Sequence, residues 1–197
     1  MKSQHYFSEE QESELKLRKI TDTIRGKQYE FNSASGVFSA SKLDFGTRVL
    51  AENMVIGKND RVLDIGCGIG IIGRIAAELT SNEVVLSDIN KRACELAKTN
   101  TSMLKNTKVV QGDSFKPIAG EKFDVILLNP PQTAGKELCF QMIEDAKNHL
   151  NPQGTLQIVA RHNKGGKTLS EKMLEVFGNL ETLAKSGGYR VYLSRLR

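Results

Sequence analysis

Cysteine is scarce in this chain. Its 197 residues hold three thiols, Cys67, Cys94 and Cys139, and none forms a Cys-x-x-Cys pair. That excludes a disulfide framework. Cys94 and Cys139 fall on helical patterns as small core residues, and a reducing compartment suits all three. The three histidines (His5, His149, His162) are dispersed, and no metal-ligand spacing arises. Long apolar runs are also missing. None approaches the roughly 18 residues that a membrane span needs, so no membrane partner is expected. The opening MKSQHYFSEEQESELKLRK has no apolar h-region and no cleavage-site pattern, which points to the cytoplasm. Repeats, low-complexity tracts and linker-like breaks are absent as well. What remains is one medium domain, large enough to bury its own core. Nothing in the sequence sets an oligomeric state.

The composition is that of a globular protein, 39% hydrophobic and 26% charged, with a net charge of +5. The charge is unevenly placed. From Arg161 onward eight Lys/Arg face three Glu, so the whole excess lies in the last 37 residues and residues 1–160 are neutral. A basic segment of this kind is the footprint expected for a polyanion, or else a solvated surface.

Residues 9–25 read as a charged amphipathic helix with Leu15, Leu17, Ile20 and Ile24 as its apolar positions. Residues 27–32 and 37–38 flank Ser33-Ala34-Ser35-Gly36 and suggest a short hairpin. Residues 1–35 are therefore expected to be an N-terminal extension, and residues 36–197 the main domain. A helix is predicted over 45–54. From residue 61 short β-rich runs alternate with helical ones: strands at 61–65, 83–87, 108–111, 123–128 and 155–160, helices at 71–79, 91–103, 136–150 and 168–177. Two closing strands, 180–184 and 189–193, are joined through Gly187-Gly188. The runs Val62-Leu63-Asp64-Ile65 and Val125-Ile126-Leu127-Leu128 suit strands buried on both faces. The expected fold is α/β: a Rossmann-like, doubly wound, mostly parallel seven-stranded sheet with an antiparallel final strand. In such sheets ligands bind at the carboxyl ends of the strands.

Every distinctive motif falls at one of those ends. Asp64-Ile65-Gly66-Cys67-Gly68-Ile69-Gly70 follows a strand and precedes a helix. Glycines there allow a sharp turn and close approach of a ligand, and the helix N-terminus offers free N–H groups. A nicotinamide enzyme uses a similar device, but Asp64 ahead of the first Gly suits an ammonium better than a pyrophosphate. Asp88, with Ile89 beside it, ends the second strand, where a carboxylate can accept both hydroxyls of a ribose. Asp113 and Ser114 follow the third strand, where an acid can accept from an adenine amino group or close a turn.

Asn129-Pro130-Pro131 after residues 123–128 is the most specific feature. Both prolines lack an N–H and hold the preceding residue extended, so the segment is stiff. The Asn129 amide oxygen and the Pro130 carbonyl would present two acceptors and no competing donor. A planar amino group, which donates two hydrogens, requires that. If its nitrogen gains positive charge during reaction, those acceptors stabilise the transition state.

This ordered set resembles the class I S-adenosylmethionine-dependent methyltransferases over about residues 36–197. It is similar, more narrowly, to the "small domain" branch that includes ribosomal RNA guanine-N2 methyltransferases. Gly36-Val37-Phe38-Ser39 and Asp44-Phe45-Gly46-Thr47 match that family's segment over the cofactor. The resemblance implies that Gly66, Gly68 and Gly70 contact the methionine portion of S-adenosylmethionine, Asp88 the ribose and Asp113 the adenine edge. It assigns Asn129 and Pro130 to the acceptor amine and places Phe38 at the cofactor or target pocket. The implied partner is ribosomal or transfer RNA, held through the basic C-terminal segment. The sequence departs from the family where an aromatic usually follows Asn-Pro-Pro; here Gln132 stands, leaving Phe38 or Tyr189 to stack on a target base. The bacterial ribosomal enzymes also carry a second, degenerate copy of the domain, for which 197 residues leave no room. The same Asn-Pro-Pro serves a protein glutamine amide, and a non-catalytic module that binds cofactor or RNA is a further alternative.

Overall fold

A computed structural model describes residues 14, 16–38, 41–131 and 135–197. The chain opens with a two-stranded antiparallel hairpin, β1 (Leu17–Ile24) and β2 (Lys27–Ala34). Then come α1 (Phe45–Asn53), β3 (Val62–Ile65), α2 (Ile71–Leu79), β4 (Val84–Asp88), α3 (Lys91–Thr101) and β5 (Thr107–Gln111). β6 (Phe123–Leu128), α4 (Lys136–Asn148), β7 (Leu150–Arg161), α5 (Lys167–Phe177), β8 (Glu181–Ser186) and β9 (Tyr189–Arg195) complete it.

The seven strands β3 to β9 form one sheet in the order β5-β4-β3-β6-β7-β9-β8. The first five in that order are parallel, and β9 runs antiparallel to both its neighbours. This is the doubly wound, Rossmann-like sheet expected from the alternation. The uninterrupted apolar strands have a simple cause. Val125 and Leu127 enter one core with α1, α2 and α3, while Ile126 and Leu128 enter a second with α4 and α5. With both faces covered, alternation of polar and apolar residues disappears. The connection from β3 goes one way to β4, and the later strands build outward from β3's other side through β6. The crevice at that reversal, beyond the carboxyl ends of β3, β4 and β6, is where open α/β sheets bind ligands.

The N-terminal region differs from expectation. Residues 17–24 are a strand, not the second half of a helix, and the part of the expected helix before residue 14 lies outside the described residues. The hairpin turns at Arg25-Gly26, both at positive φ (51° and 74°), which matches the twist that two-residue hairpins need. It does not turn at residues 33–36. Its inner face (Ile20, Ile24, Tyr29 and Phe31) is buried in the same core as α1, α2 and α3. Fully burying a side chain such as Phe31 contributes about 1.5–3 kcal/mol. Asn100 on α3 fastens the hairpin further. Its amide oxygen accepts from Asn32 N–H at 2.7 Å, and its Nδ2 donates to the carbonyls of Asn32 and Ile69, both at 2.9 Å. Among the described residues no helix is long and apolar enough to cross a membrane.

Candidate active site

A cleft opens at the carboxyl ends of β3, β4 and β6, and most of the residues singled out from sequence line it. Phe38, Gly66, Gly68, Asp88, Ile89, Asp113, Ser114, Asn129, Pro130 and Pro131 all lie on its wall. Two do not, Asp64 and Gly70.

The glycine turn divides by role. Gly66 (φ 69°) and Gly68 (φ 54°) adopt left-handed backbone, and a Cβ built on either would meet no protein atom within 4 Å. The space beside them belongs to the cleft, so a ligand could press against bare backbone. Gly70 (φ 82°) instead packs inward, where a Cβ would sit 3.0 Å from the Ala97 methyl and 3.1 Å from Leu86. Its contribution is the close seating of α2 on α3 and β4. Asp64, 1% exposed, points the same way: its Oδ2 accepts from Gly73 N–H at 2.7 Å and ties the strand end to α2. Burial pushes its carboxyl up to about 7; the Gly73 bond opposes the shift and the Asp88 charge adds to it.

Asp88 is held by the turn it faces. Its Oδ2 accepts from Gly68 N–H and its Oδ1 from Asn90 N–H, each at 2.8 Å. Burial raises its carboxyl above the ordinary range, against those backbone bonds. Asn90 caps α3 through Ala93 N–H and also donates to the Gly36 carbonyl, while Arg92 donates to the Ser35 carbonyl. These two bonds bring the chain of Phe38 over the cleft. Asp113 is half-exposed and paired with Lys116 at 2.5 Å, and Ser114 turns the chain with a positive φ of 49°.

One polar lining residue was not foreseen. Ser87 is 1% exposed, and its hydroxyl has no hydrogen-bond partner among the described residues. A buried unpaired hydroxyl is costly, so the atom is poised to take a partner from a ligand. A polar side chain after Val84-Val85-Leu86 was the available signal. Leu138 and Met142 of α4 add an apolar wall.

At the other end of the cleft, Asn129 is aimed by α1. Its Nδ2 donates to Thr47 Oγ1 at 3.0 Å and to Asp44 Oδ2 at 3.3 Å. Asp44 Oδ2 also caps α1 by accepting from Thr47 N–H at 2.9 Å. With both amide hydrogens committed to that side, Oδ1 is the edge left for the cleft. Sequence placed Asp44 and Thr47 in a segment over the cofactor but not in contact with Asn129, 82 to 85 residues away. Gln132 and Ser39 lie outside the described residues.

The cleft accordingly offers bare glycine backbone, an anchored carboxylate, an unpaired hydroxyl and an apolar wall. That fits a nucleoside joined to a short polar chain, and an oriented amide acceptor stands beside it.

Comparison with known proteins agrees with this geometry. The family described as "Methyltransferase small domain" matches residues 28–193. The chain is 33% identical to the uncharacterized protein YbxB of Bacillus subtilis over 96% of each chain. It is equally identical, 33%, to ribosomal RNA small subunit methyltransferase C of Haemophilus influenzae, covering 95% of this chain but 58% of that protein. Among solved structures, the T. thermophilus 16S rRNA N2 G1207 methyltransferase (RsmC), in complex with AdoMet and guanosine, superimposes with a TM-score of 0.80 at 24% identity. That match takes in 94% of this chain and 52% of the other. The chain belongs to the methyltransferase small domain family.

Proposed function

We propose that this chain is an S-adenosylmethionine-dependent methyltransferase that acts on the exocyclic amine of a guanine in RNA, with ribosomal RNA as its substrate. The observation that carries the reading is the Asn129 amide, fixed with its hydrogens on Asp44 and Thr47 and its oxygen left for an incoming amine. The H. influenzae and T. thermophilus relatives, named for methylation of ribosomal RNA, support that choice of substrate.

S-adenosylmethionine, when bound, supplies a methyl group on a positively charged sulfur. The chain's own residues do the rest by placement. Gly66 and Gly68 let the amino-acid portion lie against the backbone, Asp88 accepts from the ribose, and Ser87 Oγ gains the partner it lacks. Asp113 with Ser114 and Ile89 frame the base. Asp64 and Gly70 support the turn from behind. Asn129 Oδ1 and the Pro130 carbonyl accept from the target amine and hold its lone pair toward the methyl. Pro131 keeps both acceptors stiff. As the nitrogen gains positive charge, those acceptors interact with it more strongly than with the neutral amine. Only such differential stabilisation accelerates the step. A guanine within a helix must first leave its stack.

Asn129→Ala should abolish methyl incorporation into RNA while calorimetric binding of S-adenosylmethionine largely survives. Mass spectrometry of total RNA nucleosides, with and without the gene, should show one methylguanosine lost. Retained activity in Asn129→Ala, or methyl transfer to RNA-free protein at a glutamine amide, would overturn the reading.

A further inference from the structure

Beyond the cleft the sheet continues as a charged rim. Leu128 at the end of β6 is level with Ile158 of β7, and β7 runs on to Arg161, about 10 Å farther. There Arg161 pairs with Tyr189 and Ala160 with Arg190, while Lys185 of β8 lies directly across from Arg190. His162 N–H closes the corner on the Gly188 carbonyl at 2.9 Å. Half of the eight cations of the C-terminal segment therefore gather in one place. Arg161, Lys164, Lys185 and Arg190 collect at the edge from which Asn129 emerges.

Several cations elsewhere in the protein are neutralised by carboxylates. Arg61 sits between Glu83 and Glu121, Lys27 on Glu78, and Lys172 on Glu144 and Glu175. Among the described residues no carboxylate forms an ion pair with Arg161, Lys164, Lys185 or Arg190. The His162 ring beside them is held below its usual pKa by desolvation first and then by Arg190, Lys167 and Lys185. Leaving like charges together and unpaired costs stability, and a polyanion would relieve that cost.

An aromatic pair adjoins the rim on the face of Arg161. Lys185 and Arg190, one residue out of step, lie with Ala160 on the other face of the same edge. Phe45 is 44% exposed, and its ring stands 5.6 Å from that of Tyr189 at 59°. A Cβ built on Gly46 would lie 3.0 Å from both Tyr189 Cε1 and Asp44 Oδ2, so the Tyr189 ring borders the carboxylate that aims Asn129. Accessible rings beside unpaired cations are how proteins hold unpaired nucleotides, by stacking on bases and neutralising phosphates. Here Phe45 is the exposed ring and Tyr189 the partly buried one behind it.

We propose that this rim is the docking surface for single-stranded RNA flanking the target nucleotide. Arg161, Lys164, Lys185 and Arg190 contact its phosphates, and the Phe45–Tyr189 face stacks on a base. The inference rests on the RNA-methylation reading and adds where the strand lies.

The test compares Lys185→Glu/Arg190→Glu and the milder Lys185→Gln/Arg190→Gln with Lys58→Glu/Lys105→Glu. The last pair is exposed and unpaired at the opposite end of the sheet. Binding of protein-free ribosomal RNA is measured by anisotropy between 50 and 200 mM salt, beside methyl transfer and S-adenosylmethionine calorimetry. Each phosphate contact on a single strand adds about 0.7 to the slope of log K against log salt. Both rim pairs should therefore lower the slope by about 1.4, weaken RNA binding at least about tenfold in the glutamate pair, and leave cofactor affinity unchanged. The control pair should match wild type. Wild-type methyl transfer with an unchanged slope in the rim variants overturns the docking surface and leaves the acceptor reading intact. A slope lost in the rim variants without any methyl transfer to RNA supports the surface and removes the acceptor reading. A wild-type protein with no salt-dependent RNA binding overturns both.

Discussion

Replacing Asp44 by asparagine separates the aiming of Asn129 from the folding of α1. Asparagine caps helices as well as aspartate does, so the bond from Thr47 N–H survives the change. The partner offered to Asn129 does not. A carboxylate accepts only, and forces the Asn129 amide to present its NH2 edge; a carboxamide accepts on one edge and donates on the other. Thr47 Oγ1 can do either and restores no preference. A hydrogen bond to a charged group contributes about 1.5–3 kcal/mol against about 0.5–1.5 for a neutral one. The difference of ~1 kcal/mol is about fivefold in rate if it is expressed at the transition state. With both amide orientations then similar in energy, about half the molecules face the acceptor with the wrong edge, a further factor of roughly two. Asp44→Asn should therefore lower kcat for RNA methylation about tenfold, with S-adenosylmethionine affinity unchanged and Tm within about 2 °C of wild type. Steady-state kinetics, calorimetry and a thermal melt together decide it. Wild-type kcat would refute the reasoning. So would a fall in kcat that tracks a loss of cofactor affinity or of Tm, since the residue would then be structural.

Two more substitutions probe the cofactor end. Ser87→Ala removes a buried hydroxyl with no partner among the described residues, so Tm should hold or rise. Cofactor affinity should weaken by roughly two- to tenfold, the range of one neutral hydrogen bond, and calorimetry showing no change would dismiss the hydroxyl as a contact. Asp64→Asn addresses pH. With the folded carboxyl raised to about 7 and the unfolded one near 3.9, the unfolded chain gives up its proton first. The stability that the neutral group confers is full below about pH 4 and is lost as pH rises through about 7. The variant, which still offers Gly73 an acceptor, should show a flatter decline of Tm across that window. An identical decline in both proteins would show that Asp64 is not its source.

Much of the fold could be read from the sequence because the strands are buried on both faces. Val62–Ile65 and Phe123–Leu128 are largely apolar, short and β-branched-rich or bounded by turn residues, which together mark them as central strands. The glycine turn and Asn129-Pro130-Pro131 mark their ends with residues whose backbone needs are local. The hairpin was misread for an equally physical reason. Ile20 and Ile24, four apart, share a face in a helix and in a strand alike, so the apolar spacing carries no decision. The β-branched run Ile20-Thr21 and Thr23-Ile24 favoured a strand. Its turn is Arg25-Gly26, and arginine is not a residue that announces positive φ. The aiming of Asn129 by Asp44 and Thr47 joins positions over 80 residues apart, and no periodicity encodes such a pairing. Ser87 and Gly70 show the same boundary from the other side. Their types were visible, but only the packed neighbours reveal that one hydroxyl is left unmatched and one glycine seats a helix.

The Asn100 carboxamide behaves as a surrogate peptide group. It trades one donor and one acceptor with Asn32, as an adjoining strand would, and spends its last hydrogen on Ile69 inside the glycine turn. One side chain thus couples the leading ribbon of the molecule mechanically to the bend that lines the cleft. A shift of that ribbon cannot leave the bend unmoved without stranding an amide proton in an apolar interior. The front of the chain is for that reason a governor of how rigidly the pocket floor is held, although among its described residues Phe38 alone joins the wall.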